Sequence, residues 1–357
     1  MQQDLAQRLL TATLDWNVEQ IIKYRELIED LSDYKYNQYQ QYKPSSRFIE
    51  HLSIWLNQFD DNERKLALEF ILNNLIFISP AEMIHLVDTA YYEVVEPILQ
   101  KQLTDKYPNI SDNTNLLRII KRKNLFLALS DGARIDVLRR NSQLHHDQVC
   151  VNYDLSDTKF GEILKSMNED TKCIIGKIDE LSGINFPTLY NVFLFDDFSG
   201  SGISYLRYES NVWKGKIIKV LKCLEKENII TENQSQKPTI HIILYLATNQ
   251  AESSIKENLK QYIKSKKTSI DIEVHVVQYI EKVCLTNDEE KWLKKYYKNE
   301  IEDSHFRKGN MIKPYLGFDG CSLALVLYHN TPNNSFPILW AGENALFPRV
   351  TRHKDVN

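Results

Sequence analysis

The chain of 357 residues is long enough for about two domains and a sizeable core, at roughly 150 residues per domain. Its 43% hydrophobic and 26% charged residues exclude a disordered, collagenous or coiled-coil protein. A net charge of -4 gives no global pull towards nucleic acid or an anionic membrane. Apolar runs fall short of the roughly 18 residues that cross a bilayer, and Met1 to Asp15 is polar and acidic where a signal peptide would be basic and then apolar. We therefore expect a cytoplasmic protein that makes no membrane contact. Cys150, Cys173, Cys223, Cys284 and Cys321 are odd in number, scattered and never in a Cys-x-x-Cys arrangement, and are read as buried thiols rather than a disulfide framework or a thiolate zinc site.

In chain order, the first 110 residues read as α-helical. The tyrosines at 34, 36, 39 and 42 have the spacing of base-stacking platforms but are better explained as a polar helix end and loop closing at Pro44. Leu66, Phe70, Ile71 and Leu75 to Ile78 form one helical face, and Ile84, Leu86, Val87, Tyr91, Val94, Val95 and Ile98 another. Between them, Ser79-Pro80-Ala81-Glu82 is a capping box with proline at the first helical position, which starts a helix sharply after Ile78. Asp105 to Asn115 is the expected linker. All eleven glycines lie at or after Gly132, so the chain changes character beyond it, and we assign an α/β domain to residues 116–357. Its expected strands are Leu125 to Leu129, Tyr190 to Phe195, Ile240 to Leu246, Ile272 to Val277 and Ser322 to Tyr328. Glu252 to Ile263 and Asp288 to Ile301 are the expected helices, with Thr286 and Asn287 as caps, and Glu225 to Lys237 is a polar connection. Continuous apolar strands alternating with helices predict a mostly parallel sheet covered on both faces.

Ligands of such sheets bind at the carboxyl ends of strands. Two of these ends stand out. Asn191 to Phe195 runs into Asp196-Asp197-Phe198-Ser199-Gly200-Ser201-Gly202-Ile203-Ser204, paired carboxylates followed by a small-residue loop and then an expected helix. Adjacent carboxylates suit the two hydroxyls of a ribose diol or a divalent cation, and the loop can aim amides and hydroxyls at a phosphate. The second is Leu129-Ser130-Asp131-Gly132-Ala133-Arg134, which opens a helix ending in Arg139 and Arg140. From Leu116 to Arg140 seven basic residues face two acidic ones.

The Asp196 to Ser204 segment resembles the phosphoribosyl-pyrophosphate motif of type I phosphoribosyltransferases, with Asp196 and Asp197 on the acidic pair and Ser201, Gly202 and Ser204 on the phosphate loop. Ile203 departs from the family's glycine. The resemblance implies a type I phosphoribosyltransferase-like fold, a ribose 5-phosphate held by Asp196, Asp197 and Ser199 to Ser204, and a diphosphate held by Ser130, Asp131, Gly132, Ala133 and Arg134 with Mg²⁺. It also implies catalytic parts for Asp196, Asp197 and Arg134, although Asp-Gly-Ala-Arg is not the usual Arg-Gly-Gly pattern, and a mobile catalytic loop near His145-His146. No metal ligand is assigned. With the turn-rich stretch His329 to Trp340 and Leu346 to Arg349, the chain looks like the phosphoribosyltransferase-like family of bacterial conflict and anti-phage operons, some retron-associated. A reverse transcriptase would then be an expected partner, with nucleic acid reached through it. Three readings stay open: an enzyme displacing diphosphate at the anomeric carbon, a noncatalytic nucleotide sensor or partner-binding subunit, and a nucleic-acid effector using residues 118–140.

Overall fold

The computed structural model describes residues 3–153, 155–181, 183–230, 236–266, 269–297 and 313–349. In chain order the elements are α1 (Gln3–Leu14), α2 (Val18–Tyr34), α3 (Phe48–Leu56), α4 (Asp61–Asn74), β1 (Ile76–Ile78), α5 (Pro80–Thr89), α6 (Glu96–Lys106), α7 (Asn113–Arg122), β2 (Asn124–Ala128), α8 (Ile135–Asn141), β3 (Val149–Cys150), α9 (Asp157–Ile175), β4 (Asn191–Ser199), β5 (Arg207–Glu209), β6 (Val212–Lys214), α10 (Lys216–Lys226), β7 (Thr239–Ala247), α11 (Asn249–Lys266), β8 (Ile272–Tyr279), α12 (Asn287–Lys295), β9 (Leu325–Leu327) and α13 (Pro337–Trp340). By internal contacts the chain forms two units, residues 1–83 with 281–357, and residues 84–280. The expected 105–115 linker lies inside the second, spanning the end of α6, the loop to α7 and the start of α7. Residues 231–235 of the polar connection and 298–301 of the last expected helix lie outside the described residues.

In the first unit the two ends of the chain fold together. The helical face expected to run through Leu75 to Ile78 stops at Asn74, whose side-chain amide donates back to the carbonyl of Phe70. Ile76-Phe77-Ile78 instead pairs in parallel with Leu325 to Leu327. A run of β-branched and aromatic residues fits a pleat better than a helix, and its backbone groups find partners there. The expected strand at 322–328 thus belongs to this two-stranded sheet and not to the central one. Tyr36 and Tyr39 are buried against Phe48, Phe77 and Phe347, and the Tyr39 hydroxyl donates to the carbonyl of Pro348 at 2.6 Å. These rings are core rather than a base-stacking platform. The capping box expected at Ser79 is present, with Glu82 as its reciprocal partner, and Thr286, expected as a cap, makes a second such box with Glu289.

The second unit is built on five parallel strands in the order β3-β2-β4-β7-β8. Counted within the sheet, that is second, first, third, fourth, fifth, so the direction of winding reverses between β2 and β4. One face packs its Leu, Ile and Val side chains with α9, α10 and α11, around Leu127, Leu194, Leu244, Phe160, Leu221 and Ile255. The other presents Phe126, Phe193 and His241 in a stacked row, with centroids 5.1 and 4.9 Å apart. The helix begun at Pro80 continues as a π-turn at residues 90–95 before α6, because Pro97 has no N–H to offer the carbonyl one turn earlier. Cys150 and Cys321 are buried as expected, but Cys173 and Cys284 are exposed.

Candidate functional site

β4 runs through both aspartates, and successive side chains of a strand leave by opposite faces. The acidic pair is therefore split. Asp196, 1% exposed, turns towards α10, where its Oδ2 accepts from the Tyr205 hydroxyl at 2.5 Å and from Lys216 Nζ at 2.6 Å. Its Oδ1 accepts from the Asp197 amide at 3.2 Å. Burial pushes the Asp196 carboxyl above the ordinary range, the Lys216 ammonium pulls it back, and the neighbouring Asp197 charge adds to the rise. Asp197 is half-buried and leaves by the other face, where its Oδ1 accepts from Ser130 Oγ at 2.9 Å. Since Ser130 lies two residues past the end of the first strand of the sheet, this bond joins the two segments singled out from the sequence at the point where the winding reverses, the place where open α/β sheets bind ligands.

Each segment is braced from behind. The Tyr245 hydroxyl, fully buried on β7, donates to the carbonyl of Ala133 at 2.7 Å and fixes the Asp131 to Ala133 turn. Arg134 then takes a left-handed conformation at φ 43, ψ 41, uncommon for a residue with a Cβ. Its Nε lies 3.3 Å from Asp136 Oδ1, while Arg140 holds the other oxygen at 2.6 Å. Burial works against the Asp136 carboxylate, but the two arginines outweigh it and hold its carboxyl below the usual range. The guanidinium expected on a diphosphate is thus ion-paired at the start of its own helix.

The loop after β4 lies on the first turn of α11. Gly202 has φ +76, and a Cβ there would come within 2.7 Å of the Ala251 carbonyl oxygen, so only glycine lets the loop approach this closely. Thr248 Oγ1 donates to the Gly200 carbonyl at 2.5 Å and accepts from the Ala251 amide at 3.0 Å. Tyr205 N bonds back to the Gly202 carbonyl, but the amides of Ser201, Gly202, Ile203 and Ser204 meet no backbone acceptor among the described residues. Ile203 keeps φ out of the positive region, so this position has no need of the glycine usual in the resembled motif. The helix expected directly after the loop is displaced. A hairpin, β5 and β6, comes first, turning at Ser210 and Asn211, both at positive φ, with Tyr208 opposite Trp213. Only then does α10 begin, with Lys216 as its first residue.

The basic segment is no open patch. Arg122, 6% exposed, is bonded to Asp147 and Asp170, both at 2.8 Å, and to Ser166. Lys123 is buried with its Nζ 3.0 Å from Asn168 Oδ1, and burial lowers its pKa to about 8. Lys121 reaches the Ser142 carbonyl at 2.5 Å. The local charge behind a nucleic-acid surface is in good part turned inward. His145 is bonded to Asp147 at 3.0 Å and lies in a tilted ring contact with His146.

Sequence reasoning missed Lys216, Tyr205, Tyr245 and Thr248. Lys216 lies twenty residues past Asp196, beyond a hairpin that no composition signal announced, and nothing in the surrounding sequence marks Tyr205 or Tyr245 as site residues. Together the site offers a half-buried carboxylate, a hydroxyl beside it and a row of unengaged amides, an arrangement that can accept from hydroxyls and donate to a phosphate. Among the described residues, no helix is long and apolar enough to cross a membrane. Searches of curated proteins and of solved structures return no match. The profile of the PRTase-CE family matches residues 52–349, most of the chain including both strand ends described above, and the protein belongs to this phosphoribosyltransferase-like family.

Proposed function

We propose that the chain binds phosphoribosyl pyrophosphate or a nucleoside monophosphate at the carboxyl ends of β2 and β4. The observation behind this reading is the Ser130 to Asp197 bond at the winding reversal, beside a loop with four unengaged amides. The amides of 201–204 would take the 5-phosphate, Asp197 the ribose hydroxyls, and the 130–134 turn the diphosphate. A hard carboxylate oxygen at Asp197 fits Mg²⁺ brought in on the diphosphate, for which one protein carboxylate plus ligand oxygens suffices. The ion would neutralise charge on the leaving group. Asp196 is already committed to Lys216 and Tyr205 and acts as a brace for the loop.

In turnover the bond from the anomeric carbon to the diphosphate oxygen breaks, the diphosphate leaves with the electron pair, and a nucleophile on the acceptor closes on the carbon. This needs orientation and charge stabilisation more than a protein nucleophile. The rival reading, a noncatalytic sensor, is favoured by one observation: the Arg134 guanidinium is paired with Asp136, so a diphosphate would have to compete for it. We further propose, on the resemblance drawn from the sequence alone, that either activity serves a bacterial anti-phage system with an operon-encoded partner.

Calorimetry with phosphoribosyl pyrophosphate and with AMP, each with Mg²⁺, tests the site. We expect saturable binding, weakened more than tenfold by Asp197→Asn with an unchanged melting temperature. No saturable binding below about millimolar, a limit worth only ~4 kcal/mol, overturns the reading. Diphosphate release that falls in Arg134→Ala more than affinity does marks the enzyme, and binding without release marks the sensor.

A further inference from the structure

At the other end of the same sheet, polar side chains cross the strands in a continuous row. Asn124 donates from its side-chain amide to the carbonyl of Ile120, which leaves its Oδ1 as an acceptor. Asn191 Nδ2 donates to that oxygen at 2.7 Å and to Gln102 Oε1 at 3.0 Å, so Asn191 Oδ1 faces His241 Nε2 at 3.1 Å as an acceptor. His241 Nε2 therefore holds the hydrogen, and Nδ1 keeps its lone pair. The row is anchored in a backbone carbonyl, so this tautomer follows from geometry alone.

His241 Nδ1 points at two residues of the edge strand β8. His241 and Glu273 are cross-strand partners, and His275 lies two residues on, hence on the same face. Nδ1 of His241 lies 3.1 Å from His275 Nε2 and 3.4 Å from Glu273 Oε2, and the third side of the triangle is 3.5 Å. An ion held tetrahedrally at ~2.0–2.1 Å spaces neighbouring donors by roughly 3.3–3.4 Å. The three atoms already form one face of such a tetrahedron. His241 is 3% exposed and Glu273 56%, so the triangle is closed on the protein side and open towards solvent, where a water could take the fourth position.

We propose that His241, Glu273 and His275 bind a divalent transition-metal ion of the Zn²⁺ class, which clamps the edge strand β8 to β7. The donor set of two imidazoles and one carboxylate suits zinc, and Asn191 supplies the supporting hydrogen bond that ligating histidines ordinarily make. Burial lowers the pKa of both histidines, to about 3 for His241, which keeps them neutral as ligands must be. His275 coordinates through Nε2 as its Nδ1–H tautomer. Lys256, whose charge acts on it, is itself paired with Glu252 at 2.7 Å. Six strand residues, roughly 20 Å at ~3.3 Å each, separate His241 from the end of β7, so the clamp is independent of the ribose-phosphate reading.

The test is titration of the purified full-length, metal-stripped chain with Co²⁺, followed by displacement with Zn²⁺. We expect one Co²⁺ per chain with the intense visible bands of a low-coordinate site, full displacement by one Zn²⁺, and a melting temperature raised by Zn²⁺. His275→Ala and Glu273→Gln should each weaken Co²⁺ binding at least tenfold. Where His275→Ala disturbs folding by circular dichroism, Glu273→Gln decides, because that side chain is largely exposed. No saturable binding up to ~100 µM, or binding of unchanged affinity in Glu273→Gln, overturns the proposal.

Discussion

The two ends of the central sheet treat their polar groups in opposite ways. At the amino end, Gln102, Asn124 and Asn191 satisfy one another in a row that ends on His241 Nε2, and Arg122 is bonded to Asp147, Asp170 and Ser166. At the carboxyl end, Asp197 accepts from Ser130, and the amides of 201–204 meet no backbone acceptor among the described residues. The asymmetry follows from the architecture. Crossovers in a parallel sheet return the chain to the amino end through helices that pack tightly, while the loops leaving the carboxyl ends are free to spread where the winding reverses. Strength at one end and readiness at the other are thus set by topology before any particular residue is chosen.

The comparison breaks most visibly at Lys216. It balances the buried Asp196 charge, so Lys216→Met should destabilise the protein by about 3 kcal/mol in chemical denaturation, the low end for a buried pair because Lys216 retains some exposure. The double variant with Asp196→Asn should recover most of the loss. A single variant as stable as wild type would show that Asp196 is already neutral. Next is Gly202→Ala, where both the positive φ and the Ala251 carbonyl resist a Cβ; we expect about 2 kcal/mol of destabilisation and weakened phosphate binding. Gly161, within α9 and with no atom within 4 Å of a built Cβ, is the control, and Gly161→Ala should stabilise by about 0.5–1 kcal/mol. The smallest effect sharpens the amino end. Burial alone would raise the Asp147 carboxyl, but Ser166 and Arg122 outweigh it and hold the pKa down to about 2. Because the folded value lies below the unfolded one, Asp147 contributes stability above about pH 4 that is lost as pH falls towards 2. Thermal melts of wild type and Asp147→Asn should therefore converge over that window, and parallel curves would remove Asp147 from the account.

Much of this was legible in the residues. The runs 125–129, 190–195, 240–246 and 272–277 became β2, β4, β7 and β8; the first three are apolar almost throughout because they are buried on both faces, whereas β8, at the sheet edge and only partly buried, carries Glu273 and His275 among its apolar residues. The capping boxes at Ser79 and Thr286 marked helix starts because they are local: three residues settle the geometry. The run at 322–328 was read correctly as extended and assigned to the wrong sheet, because its pairing with Ile76 to Ile78 spans some 250 residues and leaves no local trace. Two-residue β3 was too short to show any pattern.

At the candidate site, Asp196-Asp197 and the small-residue loop were visible as chemistry, and the chain alone placed them at the end of a buried strand. It could not say that period-two alternation, with the strand continuing through both residues, would send Asp196 to Lys216 and leave Asp197 facing Ser130. Nor could it show that His241 and the Glu273-Val274-His275 alternation would converge. Those donors meet through the register between two strands, and register is fixed by the whole sheet rather than by either segment. Local sequence determined which segments become strands, which helices they cap and which groups are available; tertiary structure decided which of those groups meet, because contacts between distant residues depend on how strands pair and turn, and neither is written in any one stretch of the chain.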